Sequence, residues 1–547
     1  MTRREMIGGI AAPALLAATA VPRMPEAMIE GHDKAVGSYL QKQVTDPNHR
    51  HRGLMMSDDG LYYLGTGIGL VEVMGSAYLC PQSKYYKDKQ TLGRIKLAME
   101  TIVRELTADG NVWLPTTNFN SPPDTAFAVF TAGTTAANAL TYGAPELFEL
   151  MKPFLVNAKR ALLVGGVHTP NHRWMMCAAL AAIHKVMPDA ALVRRANQWL
   201  AEGIDQDADG QYTERSFGMY NTICDRGLLM CGIKMNKPEL FAPVRKNLDA
   251  MLYLMHADYE VITEISRRQD AFQRVTMAGY WFPLAYLAVH DKNGKYAKLA
   301  SAMRPVAWSL GTFLEYPELI NPVVSEEALP DNYERKFSAI GVTRIRRGNM
   351  SATMLDGNAL FFAIRKGAAV INGVRIASAF FGKGQLQGRV RKVDGSYLIE
   401  QNLEGPYFQP FTPARNITVD TYDSTRHERK QSEVCKLKQS VLITETATGF
   451  KLRVRAAGTN DVPVSIEINF REGGEFQGVE KLAAADSYLL ASGWATFKVG
   501  NDVLKVGPGT APHKYVEPRG SQKKMSGPSV YVTGSTPLDQ TLEISWA

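Results

Sequence analysis

The stretch Glu315–Lys336, EYPELINPVVSEEALPDNYERK, separates two parts of the sequence that differ in character. It is rich in proline and acidic residues, which is typical of a linker. Before it, apolar residues recur at intervals of three and four, and after it alternating and β-branched runs dominate. This change predicts a multidomain α+β protein, with a helical domain followed by a β-domain.

Residues 35–320 have the pattern of helices joined by short loops that carry Gly, Pro, Asn and Asp. The predicted helices are 33–44, 61–78, 87–107, 124–140, 145–164, 172–187, 189–203, 217–232, 237–255, 272–290 and 294–313. Helical hairpins packed in series form an α/α toroid or an open solenoid. We expect an α/α toroid, complete or incomplete, although no sequence repeat is strong enough to decide.

Residues 340–547 contain short runs such as NALFFAIRKG and TLEISW, separated by Gly, Asn and Asp turns. Runs of this length and spacing are typical of antiparallel sheets. We therefore expect a β-sandwich or a stack of antiparallel sheets in this second domain.

The first twenty residues have the pattern of a bacterial signal peptide. Arg3 and Arg4 precede an apolar run, and Ala18-Thr19-Ala20 fits a small-residue cleavage site. The arginine pair indicates the twin-arginine kind, which implies export to the periplasm or beyond. No run is long enough to span a membrane, so we expect no membrane insertion after cleavage.

The formal charge of +8 and the pI of about 9.0 favour anionic partners. The sequence has no long Lys/Arg run and no zinc-finger spacing, so acidic polysaccharide ranks ahead of nucleic acid. The five cysteines are widely spaced and odd in number. Buried free thiols are the better interpretation, with one disulfide left open.

Three polar segments interrupt the apolar helices and predict one site. They are TPNHRW (Thr169–Trp174), DQDADGQYTERSFGMYNTICDR (Asp205–Arg226) and EISRRQD (Glu264–Asp270). A fourth loop, DGNVWLPTTNFNSPPDTAF, offers an aromatic face and amide groups, which suit sugar rings. Taken singly, each segment also has a structural interpretation: Asn171 or Asp124 as a helix cap, Tyr220 in the core, and two solvated arginines.

The acidic run that begins at Asp205 imitates the first half of a calcium loop. Its twelfth position is Ser216 instead of the glutamate that such loops carry. We therefore predict no metal site, and we expect no cofactor.

The order and spacing of these motifs resemble those of the α/α-toroid polysaccharide lyases, which include hyaluronate and chondroitin lyases, alginate lyases and the heparinase II/III group. Asn171-His172 is similar to the Asn-His pair of the alginate and heparinase branch, and Ile265-Ser266-Arg267 to an arginine motif of the chondroitin branch. A second motif of the former branch is matched by Asp209, Gly210, Glu214, Ser216 and Tyr220. Asn221 stands where a histidine often follows the tyrosine, and the HxH metal motif of some β-domains is absent.

The resemblance implies an enzyme that cleaves a uronic-acid-containing glycan by β-elimination and leaves an unsaturated uronate. Tyr220 would transfer the proton, with His172 as the alternative base, while Asn171 and Arg267 or Arg268 would neutralise the substrate carboxylate. The expected substrate-binding residues are Trp113, Asn118, Asn120, Arg173, Trp174, Glu214, Asn221 and Arg226.

Two alternatives stay open. A glycoside hydrolase on the same toroid would use two carboxylates, Asp124 with Glu214 or Asp225. A glycan-binding protein without catalytic activity would use only the aromatic loops.

Overall fold

The computed structural model describes residues 19–305 and 310–546, so the predicted signal peptide lies almost wholly outside the described residues. The chain divides into two compact units. The first ends at Leu329, and the second begins at Pro330 and also takes in the short segment His256–Asp258. No helix within the described ranges is long and apolar enough to cross a membrane.

The first unit consists of paired helices. They are α1 (Glu26–Lys42), α2 (Leu64–Leu79), α3 (Lys89–Arg104), α4 (Pro122–Thr141), α5 (Pro145–Val164), α6 (Pro170–Val186), α7 (Ala190–Leu200), α8 (Tyr220–Lys234), α9 (Phe241–Met251), α10 (Trp281–Asp291), α11 (Gly294–Ala302) and α12 (Leu310–Glu315). Helices α2, α4, α6 and α8 pack against one another in turn and form the inner layer, while α3, α5 and α7 flank them. This is the α/α toroid that the sequence predicts.

Residue size explains which helices lie inside. Helix α6 contains the run Ala178–Ile183, and every residue of that run is buried. Small side chains on all faces let neighbouring helix axes approach closely. Helices α3 and α7 instead bury a single apolar stripe, as expected for an outer layer with one face in water.

Three predicted helices are clearly wrong in extent. The predicted helix 33–44 already begins at Glu26 and ends at Lys42. The predicted helix 272–290 begins only at Trp281, because Val261 N–H donates to the carbonyl of Val275 and holds the preceding residues in a loop. The predicted helix 294–313 ends at Ala302, and the separate short helix α12 follows. The loop before α4 also contains a small hairpin, β1 (Val112–Leu114) with β2 (Asn118–Ser121).

One turn recurs before the inner helices and supplies the repeat that the sequence analysis did not find. Gly60, Gly110 and Gly210 each end an acidic tripeptide and have φ of +80°, +89° and +80°. In all three turns the glycine N–H donates to the residue three positions earlier, and that residue's N–H donates to the residue after the glycine. Glycine is required because other residues rarely adopt this φ.

The second unit is a β-sandwich. Its strands are β3 (Asn332–Phe337), β4 (Val342–Arg347), β5 (Met350–Leu355), β6 (Phe362–Lys366), β7 (Ala369–Ser378), β8 (Gly384–Gln385), β9 (Arg391–Val393), β10 (Ser396–Phe408), β11 (Gln431–Thr446), β12 (Gly449–Gly458), β13 (Pro463–Phe470), β14 (Glu475–Gln477), β15 (Glu480–Lys481), β16 (Ser487–Leu489), β17 (Ala495–Val499), β18 (Asp502–Gly507), β19 (Ser529–Ser535) and β20 (Leu538–Trp546). One sheet has the order β14-β17-β18-β20-β12-β11-β10-β9 and the other β15-β16-β19-β13-β7-β6-β5-β4-β3, with β8 beside β7. All pairs are antiparallel except β16 with β19. Apolar residues of both sheets form one core, which confirms the predicted antiparallel β fold of this part of the chain.

All five cysteines are free thiols. Four of them, Cys80, Cys177, Cys224 and Cys231, are buried among the helices, as predicted. Cys435 on β11 is partly exposed.

Candidate active site

The three polar segments of the sequence meet at the N-terminal ends of the inner helices. Asn171 and His172 lie in the first turn of α6, and Tyr220 is the first residue of α8. Asp124 lies in the first turn of α4. The unpaired N–H groups at helix N-termini favour negative charge, so this end of the toroid suits an anionic ligand.

A continuous chain of polar contacts joins four of the predicted residues. Asn171 Nδ2 donates to Glu214 Oε2 at 2.7 Å, and Glu214 Oε1 lies 3.2 Å from Arg268 Nη1. Arg268 Nη2 donates to the Tyr220 hydroxyl at 3.3 Å, and its guanidinium lies 4.5 Å from the centre of the Tyr220 ring. The guanidinium would therefore stabilise negative charge on the phenol oxygen.

Exposure differs along this chain of contacts. Tyr220 and Arg268 are partly exposed, while Asn171 and Glu214 are buried at 0% and 6% exposure. The Asn171 amide nitrogen is directed at Glu214 and Thr169. Direct contact between Asn171 and a substrate carboxylate, as expected above, would require this side chain to move. In the present geometry Asn171 positions Glu214, and Glu214 positions Arg268.

Asp270 ties together the two loops that carry Tyr220 and Arg268. Its Oδ1 accepts from Ser216 Oγ at 2.8 Å and also from Ser266 Oγ, and its Oδ2 accepts from Gly218 N–H at 2.9 Å. Ser216 Oγ in turn accepts from the Tyr220 N–H at 3.0 Å. Asp270 was not a predicted site residue, although it ends the EISRRQD segment.

His172 lies beside this site in an apolar setting. Its ring packs edge-on against His168, with centroids 4.7 Å apart, and against Phe127 at 6.3 Å. Burial lowers the pKa of His172 to about 4, with a further lowering by His168 and Arg268 and an opposing effect of Asp124. The imidazole is therefore neutral near pH 7 and free to accept a proton.

Four predicted residues point elsewhere. Arg267 is exposed and donates to the Thr213 carbonyl at 3.4 Å. Arg173 and Trp174 both donate to Asp205 Oδ1, at 2.9 and 3.0 Å, and Trp174 is fully buried. Asn221 is fully buried and donates to Gln211 at 2.8 Å. The last three support the scaffold, because Arg173 and Trp174 bind Asp205 and Asn221 binds Gln211, all within the first unit.

Asparagines of the 109–127 loop also hold the loop itself. Asn118 Nδ2 donates to Asp124 Oδ2 at 2.9 Å. Asn120 has φ of +50°, accepts from Thr107 and Asn111, and donates to Asp109. These bonds shape the loop that presents Trp113.

A cavity of about 530 Å³ opens between the inner helices next to this site. Its lining residues come from α2, α4, α6, α8 and the small hairpin, and they include Trp113, Asp124, Phe127, Phe130, Thr131, Thr222 and Arg226. Its volume lies within the range of roughly 300–1,000 Å³ typical of ligand pockets. Phe127, Phe130 and Thr131 were not predicted, because their spacing on α4 does not differ from that of core residues.

The loop that imitates a calcium site uses its carboxylates internally. Asp205 binds Arg173 and Trp174, while Asp207 Oδ1 accepts from the N–H groups of Asp209 and Gln211 at 2.9 Å each. Within residues 19–305 and 310–546, no group of three or more His, Cys, Asp or Glu side chains is placed to hold a metal ion.

Several solved polysaccharide lyases are similar to this chain over almost its whole length. A heparan sulfate lyase from Pedobacter heparinus matches 96% of this chain and 83% of its own, with 10% identity and a TM-score of 0.54. A Streptomyces coelicolor chondroitin AC lyase in complex with chondroitin sulphate matches 95% and 79%, with 12% identity and a TM-score of 0.54. A Paenibacillus xanthan lyase matches 95% of this chain but only 55% of its own, with 10% identity and a TM-score of 0.55.

The chain has the α/α-toroid polysaccharide lyase fold. The predicted resemblance is therefore confirmed at the level of fold. Identities of 10–12% do not extend the comparison to substrate or mechanism. No protein-family model and no curated protein matches the sequence.

Proposed function

We propose that this protein is a polysaccharide lyase that cleaves a uronic-acid-containing glycan by β-elimination. The observation that carries the proposal is the position of Arg268, which contacts both the Tyr220 hydroxyl and the Glu214 carboxylate at the N-terminal ends of the inner helices. The lyase fold and the basic charge of the chain agree with an acidic polysaccharide as substrate.

The reaction needs three groups. A cation must neutralise the uronate carboxylate so that the C5 proton becomes acidic enough to remove, and Arg268 is the partly exposed guanidinium of the site. A base must take the C5 proton, and an acid must protonate the C4 oxygen as its bond to carbon breaks. The electron pair of the C5–H bond then forms the C4–C5 double bond, and the leaving oxygen departs as a hydroxyl.

Tyr220 is the proposed acid, and in this geometry it also serves as base where the C5 hydrogen and the C4 oxygen lie on the same side of the sugar. His172 is the second base where they lie on opposite sides, since its pKa of about 4 keeps it neutral and able to accept a proton. Glu214 acts as a positioning residue because it contacts Arg268 directly. Asn171 acts on Arg268 through its hydrogen bond to Glu214.

The two-carboxylate hydrolase is disfavoured by the partners of its candidate residues. Asp225 is fully buried, accepts from the Tyr212 hydroxyl at 2.8 Å, and has its pKa raised by burial. Glu214 is already paired with Arg268, and Asp124 accepts from Asn118. Asp124 lines the cavity, but both of its candidate partners, Glu214 and Asp225, are buried, so the second carboxylate that hydrolysis needs is not exposed to a sugar.

The test is a screen of acidic polysaccharides, including heparan sulfate, chondroitin sulfate, hyaluronate, alginate and xanthan, read by the ultraviolet absorbance of an unsaturated uronate. We expect absorbance to rise with at least one polymer. New reducing ends without that absorbance would establish the hydrolase. Binding to a polymer without any turnover would establish the glycan-binding protein.

A further inference from the structure

The cavity beside the proposed site runs inward between the inner helices. Asp124 and Thr222 line its outer part, while Phe130 and Arg226 line its inner part. Six residues separate Asp124 from Phe130 along α4 and Tyr220 from Arg226 along α8. At a rise of about 1.5 Å per residue the cavity is about 9 Å deep, which is enough for a sugar ring.

The short helix α12 crosses the opposite ends of the inner helices. Asn138 Nδ2 at the end of α4 donates to the Gly311 carbonyl at 2.8 Å, and the Tyr142 hydroxyl donates to the Leu314 carbonyl at 2.6 Å. Glu315 at the end of α12 pairs with Lys234 at the end of α8. The ends of α4 and α8 are thus bridged by α12, and a polymer entering the cavity from the site meets a blocked path.

Arg226 is a cation without a close partner at the inner part of the cavity. Its guanidinium stacks on Phe130, 4.4 Å from the ring centre, and it makes no hydrogen bond or ion pair with any residue in the described part of the chain. Its side chain is accessible because it lines the cavity, while the surrounding protein lowers its pKa. A guanidinium carries a positive charge and five N–H donors. One that faces a cavity is therefore well suited to bind an oxyanion.

The carboxylates nearest to Arg226 do not take the place of such an oxyanion. Glu315 on α12 is bound to Lys234 and accepts from Thr134 at 2.9 Å. Glu72 on α2 accepts from Ser76 at 3.2 Å, and burial raises its pKa to about 7. Neither carboxylate therefore neutralises Arg226 through a direct contact, and Glu72 is only partly ionised near neutral pH.

We propose that this cavity binds the terminal sugar of the substrate, with Arg226 holding the oxyanion of that sugar, so that the enzyme cleaves from a chain end. Helix α12 bridges α4 and α8 beyond the inner end of the cavity. At the outer part the lining residue Phe127 packs against His172, and Thr222 lies in the first turn of α8, which begins at Tyr220. A polymer cannot pass through it, whereas a chain end placed there puts the next linkage at the catalytic residues. That the bound sugar belongs to a substrate and that the enzyme cleaves it rests on the proposed lyase function. The affinity of the cavity for an anionic sugar can be tested without turnover.

The binding test uses sugars that differ only in their charge. Glucuronate, galacturonate and glucose 6-sulfate are compared with glucose and galactose by titration calorimetry on the full-length protein. We expect the Kd of at least one anionic sugar to be lower than that of its neutral counterpart by about 10-fold or more. A charge-assisted hydrogen bond contributes a binding free energy of that size. The carboxylate and sulfate arms identify which oxyanion fits. Equal binding of charged and neutral sugars would overturn the proposal.

Arg226→Met removes the charge and keeps most of the volume. It should abolish the preference for the anionic sugar, a loss of about 10–100-fold. Arg160→Met, which removes an exposed arginine from the outer helix α5, should leave the preference unchanged. If Arg226→Met does not fold, Arg226→Lys serves instead and should weaken the preference. Retention of the preference in a folded Arg226→Met protein would contradict the role of Arg226.

The products of polymer cleavage give a second test. Cleavage from a chain end releases one short unsaturated product from the earliest times, and the viscosity of the solution falls slowly. A ladder of long products with a rapid fall in viscosity would overturn the terminal-sugar site. Anionic sugar binding that depends on Arg226, without turnover of any polymer, would instead refute the lyase function and leave the binding site standing.

Discussion

At the scale of single residues, Arg268 and Glu214 decide what Tyr220 can do. A tyrosine among apolar residues would only pack, but here a guanidinium contacts both its ring and its oxygen. Glu214 holds that guanidinium, and as a buried carboxylate it needs the partners it has. Glu214 and Tyr220 belong to one sequence motif, and the fold brings Arg268 to them from a separate loop.

Removing the Tyr220 hydroxyl should abolish elimination while leaving polymer binding intact. General acid–base groups contribute about 10²–10⁴-fold, so kcat of Tyr220→Phe should fall by at least about 10². Tyr422→Phe removes an exposed phenol from the second unit and is the matched control. A folded Tyr220→Phe protein with near-normal elimination rates would show that Tyr220 is structural.

His172 should remain neutral down to unusually low pH. Its folded pKa of about 4 lies below the unfolded value of about 6.5. The stability that comes from keeping the ring neutral is present above about pH 6.5 and is lost as pH falls from there through about 4. An NMR titration of the His172 ring measures the pKa directly, and His172→Gln should reduce the loss of stability over this pH range. A midpoint near 6.5 would contradict the buried setting described here.

At the scale of elements, the site depends on two loops that hold each other. The loop before α8 carries Glu214 and Ser216, and the loop around residues 264–270 carries Arg268. Asp270 is 1% exposed and accepts hydrogen bonds from both loops. Secondary-structure patterns do not reveal such a bond, because the partners are more than fifty residues apart in sequence.

Asp270→Ala should therefore reduce stability and activity together. Loss of hydrogen bonds to a buried charged acceptor, which leaves donors unsatisfied, should cost roughly 2–4 kcal/mol. The Tyr220 and Arg268 loops should separate, so kcat should also fall. Thermal unfolding and steady-state kinetics are the measurements. An Asp270→Ala protein with unchanged melting temperature and rate would show that the loops are held by other contacts.

The repeated turn offers a matched pair of glycines. Both Gly60 and Gly210 have φ of +80°, so alanine should cost about 1 kcal/mol of backbone strain at either position. At Gly210 a Cβ would also lie 2.5 Å from the Lys246 carbonyl oxygen, whereas at Gly60 it would meet nothing within 4 Å. Gly210→Ala should thus lose roughly 1–3 kcal/mol more than Gly60→Ala in urea unfolding. Equal losses would show that the turn before α8 can shift without cost.

At the scale of the whole molecule, the net charge of +8 should act on substrate capture. Long-range attraction of an acidic polymer is screened within a Debye length, which is about 10 Å at 0.1 M salt. We expect kcat/KM to fall as salt rises, with kcat at saturating polymer changing less, because the charge acts on encounter. Steady-state kinetics from 0.05 to 0.5 M salt test this, and a salt-independent kcat/KM would contradict it.

The sequence by itself determined the two domains, most of the helices and the residue types of the site. Apolar spacing and turn residues are local signals, and they predict the bounds of α5 correctly. The helix that starts at Trp281 was predicted too long, because backbone hydrogen bonds among residues 254–277 override the local pattern there.

Only the tertiary structure decided which polar residues work together. It placed Arg268 but not Arg267 against Tyr220, directed Asn171 at Glu214, and turned Arg173, Trp174 and Asn221 toward the scaffold. It also enclosed Arg226 in a cavity that no pattern predicts. The physical reason is that a polar side chain's role depends on its partners and on its access to water, and both are fixed by residues distant in the chain.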